Sequence, residues 1–248
     1  MQKLIQFSFL SLFTTLSFSS CDNAAKTVAK LEDKAPIIAG VSEVISKEAR
    51  DKMTPDLVLQ ELLAGNKRFI ANTLTPHNLQ AQVKSGAAGQ NPKAIILSCI
   101  DSRVPVEEVF DESIGDVFVA RVAGNVVNED ILGSMEYATE HGGAKLVMVI
   151  GHESCGAVKA AVDNVKEGNI TALVTKIKPA VAQNNKMVGE KNSKNAALVD
   201  AVCKSNVKNN ISIIRTKSEL LNRLEKEGKI KIVGAYYDLH TGTISMVE

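Results

Sequence analysis

Five apolar runs punctuate the chain: AIILS at 94–98, VFVARV at 117–122, KLVMVIG at 145–151, IKIVGAYY at 230–237 and ISMV at 244–247. The first four are rich in β-branched residues and continuous rather than alternating. A strand with one solvated face alternates with period two, so continuity predicts strands covered on both faces. Stretches of helical length separate them, predicting helices over Glu129–Glu140, Ala157–Glu167, Ile170–Asn184, Lys194–Asn209 and Lys217–Glu227. Thr54-Pro55-Asp56 is a helix start, with a capping hydroxyl, proline at the first helical position and an acid at the positive end of the dipole. Apolar spacing carries that helix over Pro55–Ala71, and the turn-rich segment 73–92 is predicted as loop. The HTGT turn at 240–243 sends the last strand back antiparallel. The expectation is an α/β fold: an open, mostly parallel sheet of four strands plus an antiparallel edge strand, with helices on both faces.

The first residues have another character. Lys3 precedes an apolar run from Leu4 to Phe18, short for a membrane span of ~20 residues. Small residues and Cys21 follow, as at the end of a signal peptide. The LSFSSC end resembles a bacterial lipoprotein signal, in which the cysteine carries the lipid. The domains expected are a signal peptide (1–20), a lipid-anchored tether and N-terminal arm (21–53) and one folded domain (54–248). Export is expected, to the periplasm or to a bacterial membrane as a lipoprotein, with membrane contact only through Cys21. The formal charge is +1 and no basic block occurs, so nucleic acid is not an expected partner.

Four cysteines occur in the chain. With Cys21 lipidated, three remain, an odd number that full disulfide pairing cannot absorb. Cys203 has helical spacing from Val199 and Val202 and reads as a small core residue. Cys99 opens CIDSRVP directly after the first strand, and His152 and Cys155 lie in GHESCG after the third. If those strands are neighbours, all three side chains meet at one sheet edge, where ligands bind in open α/β sheets. Two thiolates and an imidazole suit a tetrahedral Zn²⁺ with one position left open. Asp101 is either a fourth ligand, closing the site, or the partner of Arg103, whose planar fork orients and ionises a carboxylate. A structural metal, or core thiols without a metal, are the plainer readings of the same residues.

The motifs CIDSRVP, GDVFVARVAGNVV, GSMEYATEHGGAKLVMVIGHESCGAV and VGAYYDLHTG together resemble those of the β-class carbonic anhydrases, over roughly Leu57 to Val247. The resemblance implies reversible hydration of CO₂ to bicarbonate and a proton. It implies one Zn²⁺ per subunit on Cys99, His152 and Cys155, and a catalytic dyad of Asp101 and Arg103. It also implies a small substrate pocket involving Gln80, Phe118, Ala123, Tyr137 and Gly156, and a homodimer or larger homo-oligomer. The competing readings keep the scaffold: a hydrolase of carbon disulfide or carbonyl sulfide, or a non-catalytic zinc-binding lipoprotein. His77, in the 73–92 segment, is expected at the surface.

Overall fold

The computed structural model describes residues 40–247. The segment expected to be a signal peptide (1–20), Cys21 and the first part of the expected tether lie outside the described residues. No helix among the described residues is long and apolar enough to cross a membrane.

One sheet organises the chain: β1 (Ala94–Ser98), β2 (Val117–Arg121), β3 (Leu146–His152), β4 (Lys231–Tyr237) and β5 (Ile244–Val247), in the order β2-β1-β3-β4-β5. The first four are parallel and β5 closes the edge antiparallel to β4. The continuous apolar runs have the expected cause. Ile96, Met148 and Ile150 face a core with Val58, Leu62, Val106 and Phe110. Their neighbours Ile95, Leu97, Val147 and Val149 face Met135, Val207, Ile211 and Ile214 on the other side. β2 departs from this: its five residues are half-buried or exposed rather than buried. It is one of the sheet's two outer strands, and among the described residues no strand pairs with its free edge.

The strand order is what makes a site possible. The chain places β2 on one side of β1 and then crosses to place β3 on the other. The switch in direction falls between β1 and β3, where a crevice opens beyond the carboxyl ends of the strands. Ala94 pairs with Leu146 and Leu97 with Val149, so the residues leaving β1 stand level with the last residues of β3.

Several helices differ from their sequence expectation for identifiable reasons. The 73–92 segment contains a helix, Leu79–Gly86, capped by Asn78; its Asn-Leu-Gln-Ala start is hidden among turn formers. The 170–184 helix is two, Ile170–Thr175 and Lys178–Gln183, because Pro179 has no N–H to continue the ladder. Glu129–Glu136 passes into a π turn at Tyr137–His141. The helix expected over 194–209 runs through Ala196–Lys217 and ends at Ser218, whose hydroxyl caps the following helix Glu219–Lys226. That long helix lies close on β3: a side chain at Gly151 would meet Cys203 Sγ at 2.7 Å.

Just before β1, Lys93 is buried between Glu112 at 3.0 Å and Glu61 at 3.2 Å. Burial outweighs the lysine and pushes the Glu112 carboxyl up to about 7. From the ordinary glutamate range up to that value, the folded chain keeps a proton that the unfolded chain has released. This group therefore erodes stability as pH rises through that window. Glu112→Gln is expected to flatten the fall in Tm between about pH 5 and pH 8, measured by circular dichroism during heating. Equal slopes in both proteins would mean that Glu112 is already ionised in the fold.

Candidate metal centre

β1 ends at Ser98, and the next residue, Cys99, is carried into the crevice. β3 ends on His152. Cys155 follows at the start of the helix Gly156–Val162, its N-cap position. The chain reverses between them because Ser154 takes the left-handed conformation, φ 56°. Cys99, His152 and Cys155 are all buried, and their donor atoms lie within 4.8 Å of one another. Gly156 has open space around it: a side chain there would meet nothing within 4 Å. The close approach that Gly151 needs therefore does not extend to Gly156.

The donor set fits zinc on two observations. The sulfurs of Cys99 and Cys155 are 3.9 Å apart and unbonded. Two thiolates at ~2.3 Å from one tetrahedral ion would stand about 3.8 Å apart. The second observation is the imidazole. Its Nδ1 lies 2.9 Å from the carbonyl oxygen of Glu153; a carbonyl only accepts, so Nδ1 carries the proton. Nε2 is then a bare lone pair, and it is buried without a hydrogen-bond partner. This is how a metal-binding histidine is prepared: the far nitrogen fixes the tautomer and aims the near one. The two thiols are unequal. A hydrogen bond from Cys155 lowers Cys99 most, with the Gly124 N–H adding to it. Cys99 and burial in turn raise Cys155.

Asp101 stands beside this cluster, its Oδ2 3.9 Å from His152 Nε2. It is held by Arg103 through a fork: Nε donates to Oδ1 at 2.9 Å and Nη2 to Oδ2 at 2.7 Å, with the Arg103 N–H adding a third bond at 3.0 Å. The Arg103 guanidinium holds the carboxyl well below the usual carboxylate range. Of the two arrangements open to Asp101, the structure has the one paired with Arg103. A second arginine supports the loop: Arg121, ending β2, donates to the carbonyls of Cys99 and Asp101.

A model of the carbonic anhydrase family matches residues 94–244. Carbonic anhydrase 2 of Mycobacterium tuberculosis is 34% identical over 194 residues, covering 76% of this chain and 90% of that protein. The chain belongs to the carbonic anhydrase family. Its fold is that of the β class. Two tetrameric β-carbonic anhydrases of Sordaria macrospora are represented by a chain with TM-score 0.61 at 22% identity, covering 77% of this chain and 94% of that one. A β-carbonic anhydrase of Aspergillus fumigatus gives TM-score 0.62 at 24% identity, covering 77% and 91%. A carbonic anhydrase of Pseudomonas aeruginosa is 30% identical over 171 residues, 66% of this chain and 77% of that one.

The pocket residues that the carbonic anhydrase resemblance singles out fall in three places. Ala123 and Gly156 adjoin the donors: Ala123 begins the turn whose Gly124 N–H donates to Cys99 Sγ at 3.3 Å, and Gly156 follows Cys155. Phe118 and Tyr137 lie together elsewhere, in a shallow groove of about 660 Å³ on the face of β2. Phe118 pairs with Ile95, three residues before Ser98 on β1, a strand distance of about 10 Å. Gln80 is exposed on the helix Leu79–Gly86, and its neighbour Gln82 is buried against His77 and Ser113. His77 is correspondingly not a surface residue; its ring is largely buried and faces Asp111. His240 is exposed and bonds Glu153. Sequence reasoning missed Arg121, although a lone basic residue closing an apolar strand marks it.

Ser154 stores strain that the two-residue His152–Cys155 gap requires. Ser154→Gly is expected to leave stability unchanged or raise it by up to about 1 kcal/mol, and Ser154→Val to lower it by ~1–3 kcal/mol. Denaturant unfolding of the two variants checks both signs.

Proposed function

We propose that this chain catalyses the reversible hydration of CO₂ to bicarbonate and a proton, with one zinc per chain held by Cys99, His152 and Cys155. The observation that carries this reading is the buried bare Nε2 of His152 beside two close sulfurs, with an ionised carboxylate 3.9 Å away. Zinc held there would act as a Lewis acid, lowering the pKa of a water molecule well below that of bulk water. Asp101 accepts a hydrogen bond from the reacting solvent molecule and so turns its lone pair toward the substrate carbon. Arg103 keeps Asp101 ionised and fixed. A carboxylate free to rotate would lose that orientation, and a protonated one would present a donor instead of an acceptor.

CO₂ is apolar, and its pocket needs small and aromatic surfaces with one donor for the oxygen that gains charge. In this reading Ala123 and Gly156 form the near wall, Phe118 and Tyr137 the apolar wall, and Gln80 the amide donor. Within one chain these residues stand apart, which supports a homodimer or larger assembly in which a second copy completes each pocket. The relatives in Sordaria macrospora are tetrameric. The apolar run at 4–18 and Cys21 support export and lipid anchoring in a bacterium, at the periplasm or membrane.

The purified protein is expected to contain one equivalent of zinc by elemental analysis and to hydrate CO₂ in stopped flow. Carbonyl sulfide and carbon disulfide serve as comparison substrates. Asp101→Ala should retain zinc and lose about a hundredfold or more in kcat; Cys155→Ser should lose the zinc itself. Full activity in Asp101→Ala, or a metal-free native protein, would overturn the reading.

A further inference from the structure

The long helix Ala196–Lys217 presents an unusual stripe to the metal centre. Its inward face is apolar at Val199, Val202, Val207, Ile211 and Ile214, yet Asn206 and Asn210 stand on the same face, 1% and 3% exposed. Buried amides are costly unless bonded, and both are bonded to one short segment. Asn206 Nδ2 donates to the carbonyl of Gly124 at 2.9 Å. Asn210 Nδ2 donates to the carbonyl of Asn125 at 3.1 Å, and its Oδ1 accepts from the Val127 N–H at 3.1 Å.

That segment cannot hold its shape unaided. Gly124 and Asn125 both have positive φ, 66° and 45°. A side chain at Gly124 would strike Ile177 at 2.7 Å. The Gly124 N–H points at Cys99 Sγ, 3.3 Å away. One turn earlier on the same helix, Cys203 Sγ donates to the carbonyl of His152 at 3.3 Å. One helix face therefore reaches the backbone on both sides of the donor set.

We propose that Asn206 and Asn210 are positioning residues for the metal-binding sulfur of Cys99. They clamp the left-handed Gly124–Asn125 turn so that its N–H stays on that thiolate, draws electron density from it and tunes the ion it holds. Hydrogen bonds to ligating sulfurs set the electronic character of sulfur-bound metals, and outer partners of ligands commonly govern metal affinity by 10–100-fold. Asn206 is the more direct of the two, since it bonds Gly124 itself. This inference rests on the zinc reading of Cys99, His152 and Cys155.

The test replaces zinc by Co²⁺ in the full protein and reads the sulfur-to-cobalt charge-transfer band. Asn206→Ala frees the turn, the thiolate becomes more electron-rich, and the band should move to longer wavelength. Zinc transfer from the same variant to a chelator should speed about tenfold or more. Ile214→Val, a buried truncation on the same helix with no bond to the turn, should lower Tm and leave the band in place. If Asn206→Ala does not fold, Asn206→Ser keeps a shorter donor and should give a smaller shift in the same direction. A band unmoved in the folded Asn206 variant, or moved equally by Ile214→Val, overturns the proposal. A native protein that shows no sulfur-to-cobalt band at all overturns the metal reading instead, so the two failures are distinct.

Discussion

Two sulfurs 3.9 Å apart in a buried crevice cannot both carry charge without a cation between them. Coulomb repulsion at that distance, in surroundings poor in water, is the constraint on which the remaining architecture depends. The thiol pair resolves it by inequality, with Cys99 lowered and Cys155 raised; a divalent ion resolves it by accepting both. Each backbone segment that brings a donor in is separately fixed. Arg121 grips the carbonyls of Cys99 and Asp101, Cys203 the carbonyl of His152, and Asn206 the carbonyl of Gly124. The parallel register of β1 with β3 sets the height at which these segments meet.

The Asp101–Arg103 pair sits under different conditions. Arg103 is more than half exposed, whereas Asp101 is mostly covered. An ion pair with one wet partner contributes little to stability, so its value lies in direction. The fork leaves Asp101 no freedom to swing toward the donors while Arg103 holds both oxygens. The same carboxylate, released, has a lone pair already within 3.9 Å of His152 Nε2. On the proposed function, this one side chain would stand between orienting a solvent molecule and competing for its place, with the balance set by a solvent-exposed guanidinium.

The sheet and its chemistry are legible in the sequence because both are written locally. A buried parallel strand is a short β-branched run, and all five strands fall within one or two residues of their runs. Cys99, His152 and Cys155 can be paired from a distance because strand ends in this topology converge. What escapes is decided by tertiary contact. Asn206 and Asn210 look like residues that end a helix, and the predicted helix stops at Asn209; their amides are instead consumed by the Gly124–Val127 segment, and the helix continues to Lys217. The Leu79–Gly86 helix is masked by turn formers on both sides, and its cap Asn78 is the one legible sign. Pro179 is a different case, since a proline inside a helical pattern divides the 170–184 helix on sequence grounds alone.

The half-buried edge strand bears on the division of the proposed pocket within one chain. A free strand edge with exposed apolar neighbours is a surface that proteins ordinarily cover or blunt. Here Phe118 and Tyr137, the latter 60% exposed, line a groove on β2. Leu79 and Val83 stand exposed four residues apart on the helix that carries Gln80. Gln80, Phe118 and Tyr137 are residues that the proposed pocket needs and that the donor crevice does not contain. A second copy laid over both surfaces would remove apolar area from water and carry its own Gln80, Phe118 and Tyr137 toward the crevice. Hydrophobic burial and pocket completion would then be one event, and the edge strand would stay uncovered in the single chain because its cover belongs to the assembly.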